Sequence, residues 1–156
     1  SLCKKSKIEI RLIGDGRNKE NLKSLVKSKN LKEIIKFFEP VNSSKLLTYF
    51  KESDYLFLSL NDNPLFSKTV PAKLQTYMAV GIPIIGALSG EANSIIKEKN
   101  IGFCINANQA TELAKIFDSL FSVQDSLYQT MKKNCKELYL KDFSSLKRKK
   151  ILLELL

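Results

Sequence analysis

Five short apolar runs, each followed by a stretch with helical spacing, constrain this chain more than any other feature. "KIEIRLIG" (7–14), "EIIKFFEP" (33–40), "DYLFLSL" (54–60), "PIIGA" (83–87) and "IGFCIN" (101–106) read as strands. The run at 54–60 is almost continuously apolar, as a strand covered on both faces of a parallel sheet must be. Between the runs lie helical patterns. One carries Leu22, Leu25 and Val26, "NSSKLLTYFKES" (42–53) carries Leu46, Leu47 and Phe50, and others cover 89–99 and 109–121. Two more helical segments, about 125–139 and 142–155, complete a helical tail over 125–156. Strand and helix alternating through short linkers predict a doubly wound, Rossmann-like parallel α/β sheet flanked by helices, with right-handed crossovers. With no internal repeat and no low-complexity linker, residues 1–156 are expected to form one domain, the tail packing as an arm against something else.

The stretch "KTVPAKLQTYMAVGIPIIG" (68–86) ends an irregular segment (61–70) and opens a helix at Pro71. Proline suits a first turn, whose amides have no carbonyl partners. Leu74 and Met78 form its inward stripe, and Gly81 stops it. The first-turn amides of Ala72, Lys73 and Leu74 are expected to be unpaired and to point to solvent, at the positive end of the helix dipole. Anionic oxygens bind such termini. Lys73 opposes that dipole at a cost of a few tenths of a kcal/mol, a placement an anion would explain and that a lysine merely reaching into solvent would not need. "GDG" (14–16) follows a strand and opens a helix, but carries only two of the glycines of a dinucleotide fingerprint. Gly14 reads equally as a tight turn at positive φ and as a place where a ligand approaches backbone.

Composition narrows the chemistry. The chain has 156 residues, 44% apolar and 27% charged, which is globular in kind. It has no histidine, so the commonest general base is absent. Cys3, Cys104 and Cys135 have neither disulfide-framework nor metal-ligand spacing. A net charge of +10 favours anionic partners: nucleotides, nucleic acid or an acidic bilayer face. No run reaches bilayer-spanning length, and the first residues lack a signal-peptide core, so a cytoplasmic location is expected.

"IRLIGDG", "KLLTYFKESDYLFLSL", "VPAKLQTYMAVGIPIIG" and "GFCINANQATELAKIF" together resemble the C-terminal, donor-binding half of retaining GT-B glycosyltransferases, the large family that includes sucrose synthases and many bacterial polysaccharide enzymes. The resemblance covers nearly the whole chain. Its most specific block, P-[AS]-K-L-x-x-Y-M-A-x-G-x-P, looks most like the branch that transfers sugars in surface-polysaccharide assembly. It implies that Pro40 and Val41 border a nucleobase, and that Thr69, Val70, Pro71, Ala72 and Lys73 wrap the diphosphate of a UDP- or GDP-sugar, with no metal or other cofactor. Gly14 is counted with them as a backbone contact. Where many relatives carry two glutamates eight apart, this chain has Lys68 and Thr76; Thr76 is the candidate for a weaker contact to the ribose. The resemblance also implies that an earlier strand-loop unit bearing a basic pair, and an N-terminal acceptor domain, are missing, so that the chain is a fragment inactive alone. Two alternatives stand beside it. One is a basic module for nucleic acid or anionic membrane acting through "KRKK" (147–150) on an amphipathic helix, and the other is an epimerase-like domain.

Overall fold

In the computed structural model, residues 8–62 and 68–144 are described. The chain divides into two compact units at Tyr49 and Phe50. In the first, β1 (Ile10–Ile13) pairs in parallel with β2 (Ile35–Phe38), Ile10 opposite Ile35 and Ile13 opposite Phe38. The connecting helix α1 (Lys19–Ser28) buries Val26. It ends on Asn30 at φ 54°, where the Leu31 amide donates back to the Val26 carbonyl at 2.9 Å. Asparagine tolerates that left-handed turn better than most residues with a side chain. Helix α2 (Ser43–Lys51) is opened by Asn42, whose Oδ1 accepts the Lys45 amide at 2.9 Å.

The second unit holds three parallel strands in the order β3 (Leu56–Ser59), β4 (Ile84–Ala87), β5 (Gly102–Ile105). Crossovers are α3 (Ala72–Val80) and α4 (Glu91–Glu98). Central β4 is buried along its whole length. The run at 54–60, expected to be covered on both faces, is not: in β3 Leu56 and Leu58 are buried while Phe57 is 41% exposed and Ser59 is exposed, because β3 ends the strand order and only one of its faces packs on the core. Leu74 and Met78, four apart on α3, are both 0% exposed; each contributes roughly 1.5–3 kcal/mol by leaving water. Gly81 then closes α3 at φ 77°, its amide shared between the Tyr77 and Met78 carbonyls. Helix α4 ends as α1 does, with Asn100 at φ 48° and the Ile101 amide on the Ile96 carbonyl.

The strands and helices thus fall where the apolar pattern sets them, each strand trimmed to four residues. Three further expectations change. Pro71 is the residue that caps α3, with ψ 142°, rather than its first helical residue: its fixed φ of −59° fits either place, and the extended ψ sets the helix to begin one residue later. The helix expected over 109–121 closes as α5 at Ala110–Ser119, with a tighter turn at Leu120–Ser122. And α6 (Asp125–Leu138) is no free arm. Met131 and Cys135 are 1% and 0% exposed, the Cys135 thiol donates to the Ile82 and Ile101 carbonyls, and Asn134 Nδ2 donates to the Lys99 and Asn100 carbonyls. An amphipathic stripe four residues apart finds its apolar partner within its own unit. A wider helical turn, Tyr139–Phe143, follows. The rest of the segment expected at 142–155, with the basic run 147–150, lies outside the described residues.

Burial raises both thiols, Cys104 to about 11 and Cys135 to about 12. Among described residues no helix is long and apolar enough to cross a membrane.

Gly102 is the tightest point of the sheet. It has φ 156° and sits opposite Ile84, so that an added Cβ would land on the Ile84 carbonyl oxygen, an atom of the ladder itself. Gly16, by contrast, has open space around the position a Cβ would take. Gly102→Ala is therefore expected to lower unfolding free energy by roughly 2–4 kcal/mol, and Gly16→Ala by less than about 0.5 kcal/mol. Urea denaturation of both variants measures this; equal losses would refute the close-approach account.

Candidate functional site

In open parallel sheets ligands gather beyond the carboxyl ends of the strands, where crossover helices present their N-termini. In the second unit that edge is formed by the residues after β3, β4 and β5. The loop from β3 reaches α3 through Lys68, Thr69, Val70 and Pro71. Lys68 and Thr69 are exposed; Val70 is half-buried and packs on the hydrophobic core. What Val70 offers the edge is therefore its backbone, and its carbonyl accepts Gln75 Nε2 at 3.4 Å, tying loop to helix.

Ala72 and Lys73 are exposed at the start of α3, and no acidic residue stands in that turn. Their amides have no backbone partner among the described residues. The Leu74 amide, expected to be open as well, donates to the Pro71 carbonyl at 3.0 Å, a tightened first turn that removes one donor from the terminus. Two amides and one ammonium group remain, with no ion pair to Lys73 among described residues. Thr76, one turn on, is exposed, and its hydroxyl donates to the Ala72 carbonyl at 3.1 Å. Its oxygen lone pairs stay open to a ligand donor, whereas its proton is engaged.

The loop from β4 to α4 is held by a residue the sequence reading passed over. Asn93, buried at 7% exposure, directs Nδ2 at the Leu88 carbonyl (2.7 Å), the Ile105 carbonyl (3.0 Å) and Asn106 Oδ1 (3.3 Å). It thereby joins the ends of β4 and β5, and Ser89 Oγ accepts the Ala107 amide at 3.3 Å beside it. Gly90, at φ 81° and ψ −151°, turns the chain into α4. The available signal was an asparagine on the apolar face of a helix, three residues past a Ser-Gly turn; nothing in its spacing names its three acceptors.

Gly14, Pro40 and Val41 belong to the first unit. Gly14 has φ 128°, and its amide donates to the Phe38 carbonyl at 3.2 Å, so that donor is engaged within the sheet. A Cβ there would meet nothing, which makes the backbone angle the reason for glycine. A cleft of about 260 Å³ opens beside it, lined by Gly14, Asp15, Gly16, Asn18, Lys19 and Phe37 among others. Asp15 Oδ1 accepts the Gly16 amide at 2.9 Å, and Lys19 Nζ reaches both carboxylate oxygens of Glu39 at 2.9 and 3.0 Å. Pro40 is exposed and Val41 half-buried after β2.

A model of the family described as "Glycosyl transferases group 1" matches residues 1–138. An uncharacterized glycosyltransferase of Haemophilus influenzae is 25% identical over 114 residues, 72% of this chain and 30% of that protein. Among solved structures, a glycosyltransferase of Rickettsia africae superposes with TM-score 0.78 at 19% identity, over 97% of this chain and 40% of its own. The C-terminal domain of a glycosyl transferase group 1 family protein of Francisella tularensis gives 0.71 at 19%, over 92% and 74%. HepE of Anabaena, solved in complex with UDP-glucose, gives 0.77 at 17%, over 95% and 40%. The chain spans well under half the length of the Haemophilus, Rickettsia and Anabaena proteins.

Removing the Asn93 side chain strands the buried Leu88 carbonyl and takes one donor from the Ile105 carbonyl, which keeps the Leu88 amide at 3.1 Å. Asn93→Ala is expected to cost about 1–3 kcal/mol of stability. Asn93→Asp keeps the shape but brings a carboxylate against those carbonyls, which favours its protonated form in the fold. The variant should be closest to wild type below the ordinary carboxyl range of about 4 and lose stability as pH rises above it. Denaturation of wild type and Asn93→Asp at pH 3.5 to 7 reads the difference, and a pH-independent gap would reject the clamp.

Proposed function

The chain belongs to the glycosyl transferases group 1 family and has the Rossmann-like C-terminal fold of GT-B enzymes, and from that premise we propose that it is the donor-binding half of a retaining glycosyltransferase, holding a UDP- or GDP-sugar for transfer to a polysaccharide or lipid-linked acceptor. The observation that carries this reading is the start of α3: two amides without backbone partners among the described residues and the Lys73 ammonium, at the carboxyl edge of a parallel sheet. A nucleoside diphosphate brings negative charge to where the helix dipole and lysine are positive. Support comes also from HepE, whose structure holds UDP-glucose on the same fold.

In this reading the protein stabilises the departing diphosphate electrostatically, which requires neither histidine nor metal. Ala72 and Lys73 hold the phosphates, Thr69, Val70 and Pro71 supply surrounding backbone, and Thr76 accepts from the ribose; in the first unit Pro40 and Val41 are the residues proposed for the base and Gly14 for a backbone contact to the ligand. A further polypeptide segment supplies the acceptor site and the basic pair that the family uses. The protein works in the cytoplasm, peripheral to the inner face of the membrane, in surface-polysaccharide assembly.

Calorimetry tests the site. UDP should bind more tightly than UMP, and Lys73→Ala should weaken UDP binding by roughly 1–3 kcal/mol while stability holds or rises slightly, since a cation leaves the helix N-terminus. Lys99→Ala, at the far end of α4, should leave affinity unchanged. Equal affinities for UMP and UDP, or equal losses in the two variants, would sink the phosphate site. Residues 1–156 alone should show no sugar transfer, because proximity of donor and acceptor supplies much of the rate.

A further inference from the structure

The strongest basic feature of the first unit lies away from the strand ends that face a donor. Between α1 and β2 a cleft of about 320 Å³ is lined by Lys23, Lys27 and Lys32 around an apolar floor of Val26, Ile35 and Phe37. No carboxylate is among its lining residues. Glu20 engages Lys23 at 2.7 Å from outside the cleft, whereas Lys27 and Lys32 have no ion pair among described residues. From Asn21 to Lys32 the chain carries four lysines and no acid. Ile35 opens β2 and Lys32 precedes it, so the cleft reaches the amino end of that strand, opposite to Gly14 and Pro40. Two unneutralised ammonium groups over an aromatic and aliphatic floor match an anion that carries an apolar body.

We propose that this cleft takes the phosphate headgroup of an anionic lipid, the lysines meeting the phosphate and Val26, Ile35 and Phe37 the first part of the apolar chain, so that the first unit docks on an acidic bilayer surface. The inference rests on the peripheral-membrane part of the reading above and is independent of the donor site. Lysine stems lie along apolar surface while their charge reaches the headgroups, and each lysine near such a surface strengthens attachment. A single basic cleft gives reversible binding, as expected when a second contact shares the task.

Flotation of the purified protein with vesicles of phosphatidylcholine, and of phosphatidylcholine mixed equally with phosphatidylglycerol, tests this. Binding is expected to the mixed vesicles only, and Lys27→Glu with Lys32→Glu should reduce it by roughly tenfold or more. Lys97→Glu with Lys99→Glu is the matched control, because Lys97 and Lys99 stand at the end of α4 as Lys27 and Lys29 stand at the end of α1; it should change binding by less than about threefold. Equal losses in the two pairs, equal binding to neutral vesicles, or no vesicle binding would overturn the proposal. So would abolition of binding on neutralising 147–150 alone, which moves the surface to the tail, or release by inorganic phosphate at the headgroup concentration, which makes the occupant a free anion. UDP titration of the same variant should match wild type; a wild type that floats but ignores UDP would fail the donor reading and leave this surface standing.

Discussion

Everything in the larger unit depends on how closely β4 is enclosed. Its four residues are all buried, and it is hydrogen-bonded on both sides to parallel neighbours. Gly102 lets β5 approach at Ile84, and Gly86 leaves room for the Cys104 sulfur and the Ile96 methyl, which a Cβ would strike. Parallel strands buried on both faces require helices above and below them, and every crossover returns the chain to the same edge. One consequence is geometric: α3 and α4 both begin at the carboxyl edge of the sheet. Their N-terminal partial charges therefore face the same side of the unit.

That edge is finished by polar contacts of unequal kind. At α4 the loop is closed internally, since Asn93 satisfies the carbonyls that end β4 and β5. At α3 Pro71 gives no side-chain cap, and the Ala72 and Lys73 amides have no backbone partner among the described residues. A lysine in that position disfavours the empty helix by a few tenths of a kcal/mol, a cost that the charge-assisted hydrogen bonds of the proposed diphosphate would outweigh.

The smaller unit carries positive charge on another footing. Lys19 is spent on Glu39 and Lys23 on Glu20, while Lys27 and Lys32 remain around an apolar cleft. Exposed ion pairs add little stability, so the pairs matter mainly for what they remove from the surface field.

By itself the sequence determined the order and type of the elements, because apolar periodicity and the helix-stopping turn at Gly81 are local properties. It also determined the family, through the "VPAKLQTYMAVGIP" block. Tertiary structure decided what depended on distant neighbours. Val70 turns inward because the core beneath it has room; Leu74's amide closes on Pro71 as the first turn tightens; and α6 joins the core because the Ile82 and Ile101 carbonyls and an apolar seat await Cys135. Asn93 was unreadable for the same reason: its acceptors lie 5 and 12 residues away along the chain and come together only once β4 and β5 are paired. Burial and hydrogen-bond partners are properties of the packed chain, and local pattern holds no record of them.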